Sequence, residues 1–344
     1  MFSELVQIEL YFCELEVVRI ANMKNIAFFI LTGFLLLGVL ACVYTPNYAA
    51  FNWSRYAPQI TIGYWVLGIV FFFSRQYKLQ FVAFGCCALL CFYLQNTLNN
   101  NLTAPVRSHE EPVIKIAQFN LSASKSHPDS TIHYILNTQA DIISLQEVTP
   151  DWQKRISDSF RLNYPYSCSA LGADINNSIQ IFSKYAFSYC DTVYCGKVPI
   201  LTAHFSNNYI GKFTLVGNYM APPLYQAAYK QLTEQFDTLL SIMVRTKTPV
   251  IAFGDYNVHP SAYEIRKFRE YSTLVDSRRG FRLERNDGYI SLFDVPTDYI
   301  FHSPHFNCID FKTINGPMYE HLGIAGIYQF NLDSIKSPLK KFYK

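Results

Sequence analysis

Two patterns of apolar and polar positions divide this chain. From Asn25 to Phe73 the only charged side chain is Arg55, and a second apolar stretch runs from Leu79 to Leu98. From Arg107 onward, short alternating or continuous apolar runs are separated by polar turns. The first apolar run, Ile26–Tyr44, is uncharged over 19 residues, close to the ~20 that an α-helix needs to cross a bilayer. A signal peptide is the competing reading, but such peptides have shorter apolar cores and a basic lead-in. The acidic and apolar first 25 residues do not match that pattern. Two further runs, Ile60–Phe73 and Leu79–Tyr93, are joined by SRQYK, a polar turn with two cations. The pattern predicts a lead-in over 1–25 and a membrane segment over 26–98 with spans near 26–45, 57–74 and 79–97. A linker follows over 99–111, then a globular domain over 112–332 and a tail over 333–344.

In that domain, PVIKIAQF (112–119) alternates as a half-buried strand does. Residues 130–137 have helical spacing, and DIISL (141–145) reads as a buried strand. A helix over 151–160 has Asp151 as its expected N-cap. Residues 166–219 read as neighbouring strands with turns at Ser183-Lys184 and Asn207-Asn208. The longest helix is expected over 224–243, with Ala228, Leu232, Phe236, Leu239 and Leu240 on one face. PVIAF (249–253), a helix over 263–271 and a strand over 298–301 complete the reading. The fold class is therefore α/β (α+β): a four-layered sandwich of two packed mixed β-sheets flanked by helices, preceded by transmembrane helices.

Composition sharpens the membrane reading. Half of the 344 residues are hydrophobic and 16% are charged, against about 25% in soluble domains. The net charge of +3 is too small to indicate a nucleic-acid partner by itself. Arg19 and Lys24 precede the first span and Arg75 and Lys78 lie between the second and third. Three crossings put both pairs on one face, which the positive-inside rule makes cytoplasmic. Arg55 dissents, and two spans with a cytoplasmic domain is the alternative. The expected location is thus multi-pass in a membrane of bacterial inner-membrane type, with the lipid bilayer as a partner and the globular domain periplasmic or extracellular.

Polar residues recur where strands end. Asn120 follows VIKIAQF, Glu147 follows DIISLQ, Tyr219 ends FTLVGN, and Asp255 and Asn257 follow PVIAF. Asp298 begins DYIF, and Glu320-His321 lies in the last segment. A strand-end acid is often only a turn or cap residue, but a series of them can converge on one site. LQEV (145–148), GDYN (254–257) and the acid–His pair 320–321, in this order, resemble the endonuclease/exonuclease/phosphatase superfamily, which includes DNase I-like nucleases. The resemblance covers about Val113 to Phe330, and GDYN is its most specific motif.

The resemblance implies a metal-dependent hydrolase of phosphate esters. Glu147 would be the principal ligand of Mg²⁺, or Mn²⁺, with Asn120 assisting through its amide oxygen and Glu320 contributing a carboxylate. Asp255 would orient or deprotonate the attacking water, and Asn257 would hydrogen-bond the phosphate. His321 would form a dyad with Asp298. Tyr219 stands where many members have His, and Glu320 where Asp is usual; the longer side chain puts its contact in question. Implied substrates are a phospholipid headgroup, a lipid-linked phosphate, a nucleotide or nucleic acid. A catalytically silent member acting as a binding or scaffold module is the alternative.

Other residues are less informative. None of the eight histidines forms a spaced zinc motif, and His302 and His305 are expected in a surface turn. Cys190 and Cys195 flank DTVY as if across a hairpin, where an oxidising compartment would permit a disulfide; Cys168 and Cys308 read as free core thiols. Arg278, Arg279, Arg282 and Arg285 form either a solvated loop or a phosphate-gripping one. Tyr225 and Tyr229 either stack on a base or pack in the core.

Overall fold

The computed structural model describes residues 2–43, 47–98, 112–124, 127–172, 178–209, 211–278, 297–316 and 321–330. They fall into two compact units, Met1–Thr97 and Leu98–Lys344.

The first unit is helical: α1 (Phe2–Val43), α2 (Tyr48–Ser54), α3 (Ala57–Phe73) and α4 (Tyr77–Leu98). The expected lead-in and first span are one continuous helix. Met23–Val43 and Tyr77–Thr97, 21 residues each, are long and apolar enough to cross a membrane by length and composition. The 17-residue α3 is about 25 Å long, short of the ~30 Å hydrocarbon layer. Leu35, Val39, Cys42, Tyr64, Ala83 and Leu90 pack together within the unit, and Tyr64 donates its hydroxyl proton to the Leu35 carbonyl at 2.6 Å. Phe29, Phe34, Phe73, Phe81 and Phe92 face outward, each at least 66% exposed.

The second unit begins with β1 (Val113–Asn120), a 3-10 turn (Leu121–Ser124), α5 (Pro128–Asn137), β2 (Ile142–Gln146) and α6 (Pro150–Phe160). Next come β3 (Tyr166–Ala170), β4 (Ile179–Ser183), β5 (Tyr189–Cys195), β6 (Val198–Asn207) and β7 (Gly211–Tyr219). The remainder is α7 (Gln226–Arg245), β8 (Val250–Asp255), α8 (Tyr263–Ser272), β9 (Val275–Asp276), β10 (Asp298–His302), β11 (Phe306–Asn315) and β12 (His321–Phe330).

These strands form two six-stranded mixed sheets, ordered β11-β12-β1-β2-β4-β3 and β5-β6-β7-β8-β10-β9. Ile114, Ile116, Ile142, Ile181, Leu215, Ile251, Phe253 and Ile300 fill the space between them. On the outer face of the first sheet, Ala117, Phe119 and Leu145 meet Ile132 and Ile135 of α5 and Trp152, Ile156 and Phe160 of α6. On the outer face of the second, Phe236 of α7 and Phe268 of α8 pack against Tyr256, with ring centroids 5.9 and 6.0 Å apart. Helices, sheet, sheet, helices: this is the expected four-layered sandwich.

Local departures have simple causes. β1 is covered on both faces, and Gln118, on the face it shares with Ile114 and Ile116, is fully buried between the sheets. The N-cap of α6 is Thr149, which accepts the Trp152 N–H at 3.4 Å, and Asp151 lies in the first turn. Pro150 takes N1, where its missing N–H costs nothing, and so sets the cap one residue before it. His302 ends β10 and is buried rather than sitting in a turn.

The disulfide joins Cys168 to Cys190, not Cys190 to Cys195. DTVY is the interior of β5, and five residues along a strand separate the latter two by about 16 Å. Cys168 is therefore not a free core thiol, whereas Cys308 is free and buried. The bond ties β3, an edge strand of one sheet, to β5, an edge strand of the other. With a sequence separation of 22 residues, it should stabilise this unit by about 3 kcal/mol. Cys190→Ser should lower the urea midpoint for proteolysis of the full-length chain accordingly. Dithiothreitol should reproduce that shift in the unsubstituted protein and leave the Cys190→Ser variant unchanged.

Candidate active site

Strand direction brings the strand-end polar residues to one edge of the sandwich. β1 and β2 run parallel, as do β7 and β8, so Asn120, Glu147, Tyr219 and Asp255 arrive at the same end. β10 and β12 run antiparallel to β8 and β1, so their first residues, Asp298 and His321, lie there too. Asp255 is directly opposite Asp298 on one side and Tyr219 on the other.

The side chains interlock. Asn120 donates from Nδ2 to Glu147 Oε1 at 3.0 Å and reaches Asp255 Oδ2 at 3.5 Å. Its own amide oxygen accepts the Ser122 N–H at 3.0 Å. Asp255 Oδ1 accepts the Asn257 N–H at 2.9 Å, and Asn257 Nδ2 donates to the Met220 carbonyl at 2.7 Å. The Tyr219 phenol lies among Glu147, Asp255 and Asn257, close enough to feel all three. His321 Nε2 pairs with Asp298 Oδ2, the carboxylate side chain being 7% exposed and the imidazole 48%. Of the sequence-predicted site residues, seven meet here and Glu320 lies outside the described residues.

Two of these residues hold left-handed backbone conformations, Glu147 at φ 56° and Asn257 at φ 51°. Asn adopts this region readily, whereas Glu does so at a cost of about 1–3 kcal/mol that surrounding contacts must offset. The contacts come from beneath. Gln146, fully buried, accepts from the Asp255 N–H at 3.1 Å and from Gln118 Nε2 at 3.0 Å, and donates to the Asn218 carbonyl at 2.5 Å. Gln118 and Gln146 did not figure among the sequence-predicted residues. A weak signal was there: Gln118 follows the apolar Ile114 and Ile116 on one face of its strand, and Gln146 immediately precedes Glu147.

Charge is concentrated. Burial, then the carboxylate of Asp298, push the Asp255 carboxyl well above the usual range, and Glu147 adds to the effect; bonds from the Asn257 N–H and Thr297 pull the other way. Burial, followed by Glu147 and Asp255, raises the Tyr219 phenol, so it remains a proton-bearing donor at neutral pH. Oδ1 of Asp298 is buried without a hydrogen-bond partner. Three carboxylates, an amide and no sulfur form a hard-oxygen donor set with excess negative charge, which fits Mg²⁺ or Mn²⁺. Among the described residues no group of three His, Cys, Asp or Glu side chains is placed to hold a metal ion, but Mg²⁺ keeps several waters and takes only one or two carboxylates. Ligation by Asn120 requires its amide to turn over, releasing the Ser122 N–H.

The remaining candidates separate cleanly. Arg278 is 9% exposed at its side chain, ion-paired with Asp276 at 2.8 Å and stacked over Tyr299 at 4.0 Å; it holds the core and does not grip phosphate. Arg279, Arg282 and Arg285 lie outside the described residues. The Tyr229 hydroxyl is bonded to Glu264 in the interior, whereas Tyr225 is 63% exposed.

The family model described as "Endonuclease/Exonuclease/phosphatase family" matches residues 117–318, more than half of the chain. The chain belongs to this family. Its members break phosphate ester bonds, as the three activities in the family's description state, and the chain is accordingly a phosphoesterase by family. Solved structures agree on the fold. The endonuclease/exonuclease/phosphatase from Beutenbergia cavernae DSM 12333 superposes with a TM-score of 0.54 at 15% identity, covering 64% of this chain and 72% of that one. The human Nocturnin catalytic domain with bound sulfate anion gives 0.51 at 18% identity, covering 64% and 96%. The mannosyl-6-phosphatase Bt3783 of Bacteroides thetaiotaomicron gives 0.50 at 15%, covering 63% and 100%. No curated protein matches the chain in sequence.

Proposed function

We propose that this family member is a membrane-anchored, Mg²⁺-dependent phosphoesterase that hydrolyses a phosphodiester or phosphomonoester outside the cytoplasm. The observation that carries the reading is the meeting of Asn120, Glu147, Tyr219, Asp255 and Asn257 with the Asp298–His321 pair at one sheet edge.

Glu147, with Asn120 and Glu320, would hold the cation, which supplies Lewis-acid stabilisation of charge on the phosphate and leaving oxygen. Asp255 orients the attacking water and receives its proton. Asn257 keeps one amide proton on the Met220 carbonyl and offers the other to a phosphate oxygen, and the Tyr219 hydroxyl offers a second donor. His321, held by Asp298, presents an imidazolium to the charge that develops in an in-line displacement.

Two features support a bilayer location with the catalytic unit outside: the apolar helices and the Cys168–Cys190 bond, which is at home in an oxidising compartment. The cation pairs add to this only if α3 crosses as well, because two crossings would put them on opposite sides. A tethered enzyme meets lipid substrates first, so phospholipid headgroups and lipid-linked phosphates lead nucleotides and nucleic acid. Glu320 in place of the usual Asp is the single feature that favours the silent binding module instead.

Full-length protein in detergent, assayed on bis(p-nitrophenyl) phosphate, should turn over with Mg²⁺, stop with excess EDTA and recover on adding Mg²⁺ or Mn²⁺. Folded protein inactive with both metals on diester, monoester and phospholipid substrates would transfer the assignment to the silent module.

A further inference from the structure

The Gln146 carboxamide occupies an unusual place. It belongs to the end of β2 in the first sheet, yet two of its three bonds are to the second. In the parallel pairing of β7 and β8, Asn218 stands opposite Gly254 and Tyr219 opposite Asp255. Regular pairing in that register points the Asp255 N–H toward the Asn218 carbonyl. Gln146 bonds to both, accepting the N–H at 3.1 Å and donating to the carbonyl at 2.5 Å. Gly254 leaves the space this needs: a Cβ there would meet the Asn218 carbonyl and lie 2.9 Å from Gln146 Nε2. Gln118 holds the same carboxamide from β1 at 3.0 Å.

Each group in this arrangement is a short lever on a site residue. Gln146 is followed by Glu147, Asn218 by Tyr219, and Asp255 is bonded through its own N–H. Glu147, in its left-handed conformation, takes its direction from the residue before it. We infer that Gln146 is a positioning residue for the phosphoesterase reaction, its one carboxamide setting the relative placement of Glu147, Tyr219 and Asp255 across the two sheets. The inference rests on the reading of the site under Proposed function.

The test uses full-length protein in detergent with two variants. Gln146→Met keeps the side-chain length and removes every hydrogen bond. Gln118→Leu/Gln146→Met also removes the polar partner on β1, a change that relieves part of the stability cost of one orphaned buried amide. Melting temperature, kcat and KM with saturating Mg²⁺, and Mn²⁺ affinity by electron paramagnetic resonance are read on each. Gln146→Met should lower kcat about a hundredfold, as a misplacement of about 1 Å does. KM should stay within about threefold, and Mn²⁺ affinity should weaken about tenfold, as loss of a ligand's supporting bonds does. The double variant should recover melting temperature without recovering kcat or Mn²⁺ affinity. A structural role alone moves only the melting temperature, so wild-type kcat and Mn²⁺ affinity in either folded variant overturn the inference. If the unsubstituted protein has no turnover, the phosphoesterase reading fails, and the Mn²⁺ affinities still decide the role of Gln146.

Discussion

Gly254→Ala should cost the catalytic unit more than about 4 kcal/mol, the range reached only when a substitution meets backbone with nowhere to go. The new Cβ would press on the Asn218 carbonyl, which belongs to the neighbouring strand, and on the Gln146 amide. Neither moves alone. β7 is paired along its length with β6 as well as β8, and Gln146 is fixed by three hydrogen bonds. The glycine's φ of +155° adds a backbone preference against any Cβ. Urea-dependent proteolysis of full-length protein is the measurement, with fragments from the α1–α4 unit, a separate compact unit, as internal reference. A shift under about 1 kcal/mol would mean that β7 and β8 can part at this point, and the close approach would carry no constraint.

His321→Ala should lower kcat about a thousandfold, the upper range for removing one preorganised donor to a developing charge, with KM changed little. The imidazole is half exposed while its carboxylate partner is buried, so the pair has one face for substrate and one anchored in the fold. Asp298→Asn should act in the same direction by loosening the hold on the imidazole. The double variant should be no worse than His321→Ala, because two residues that act as a unit lose their effect together. Matched melting temperatures are needed, since removing His321 leaves a buried carboxylate without its partner. Retention of more than a tenth of kcat in folded His321→Ala would exclude the dyad from the chemistry.

The pattern of apolar positions alone was enough for most helices and strands as far as β10 and for the sandwich class, because amphipathic periods report burial directly; β11 and β12 were missed. It failed at particular places with particular causes. Gln118 interrupts the apolar face it shares with Ile114 and Ile116, and only its bond to Gln146 in the interior accounts for a buried amide there. Phe306–Asn315 forms β11, a long edge strand that went unpredicted because its polar and charged residues mask the alternation. DTVY reads as a loop because Asp and Thr favour turns, yet cross-strand partners on β6 hold it extended. Arg278 reads as part of a basic loop, and only its contact with Asp276 and Tyr299 makes it a core residue.

The candidate site divides the same way. The sequence by itself determined which groups are available: carboxylates, amides, a phenol and an imidazole at strand ends, in an order that resembles one family, behind a segment of apolar helices. Side-chain chemistry and chain order are local properties, so they are legible without coordinates. The tertiary structure alone decided how these groups meet. Opposite strand directions put the first residues of β10 and β12 beside the last residues of β1 and β8. A disulfide closed the two sheet edges between Cys168 and Cys190, and a glutamine from one sheet completed the bonding of the other. The last two are contacts across 22 and 109 residues of sequence, and pairing at such range depends on sheet register and layer packing, which no local pattern encodes.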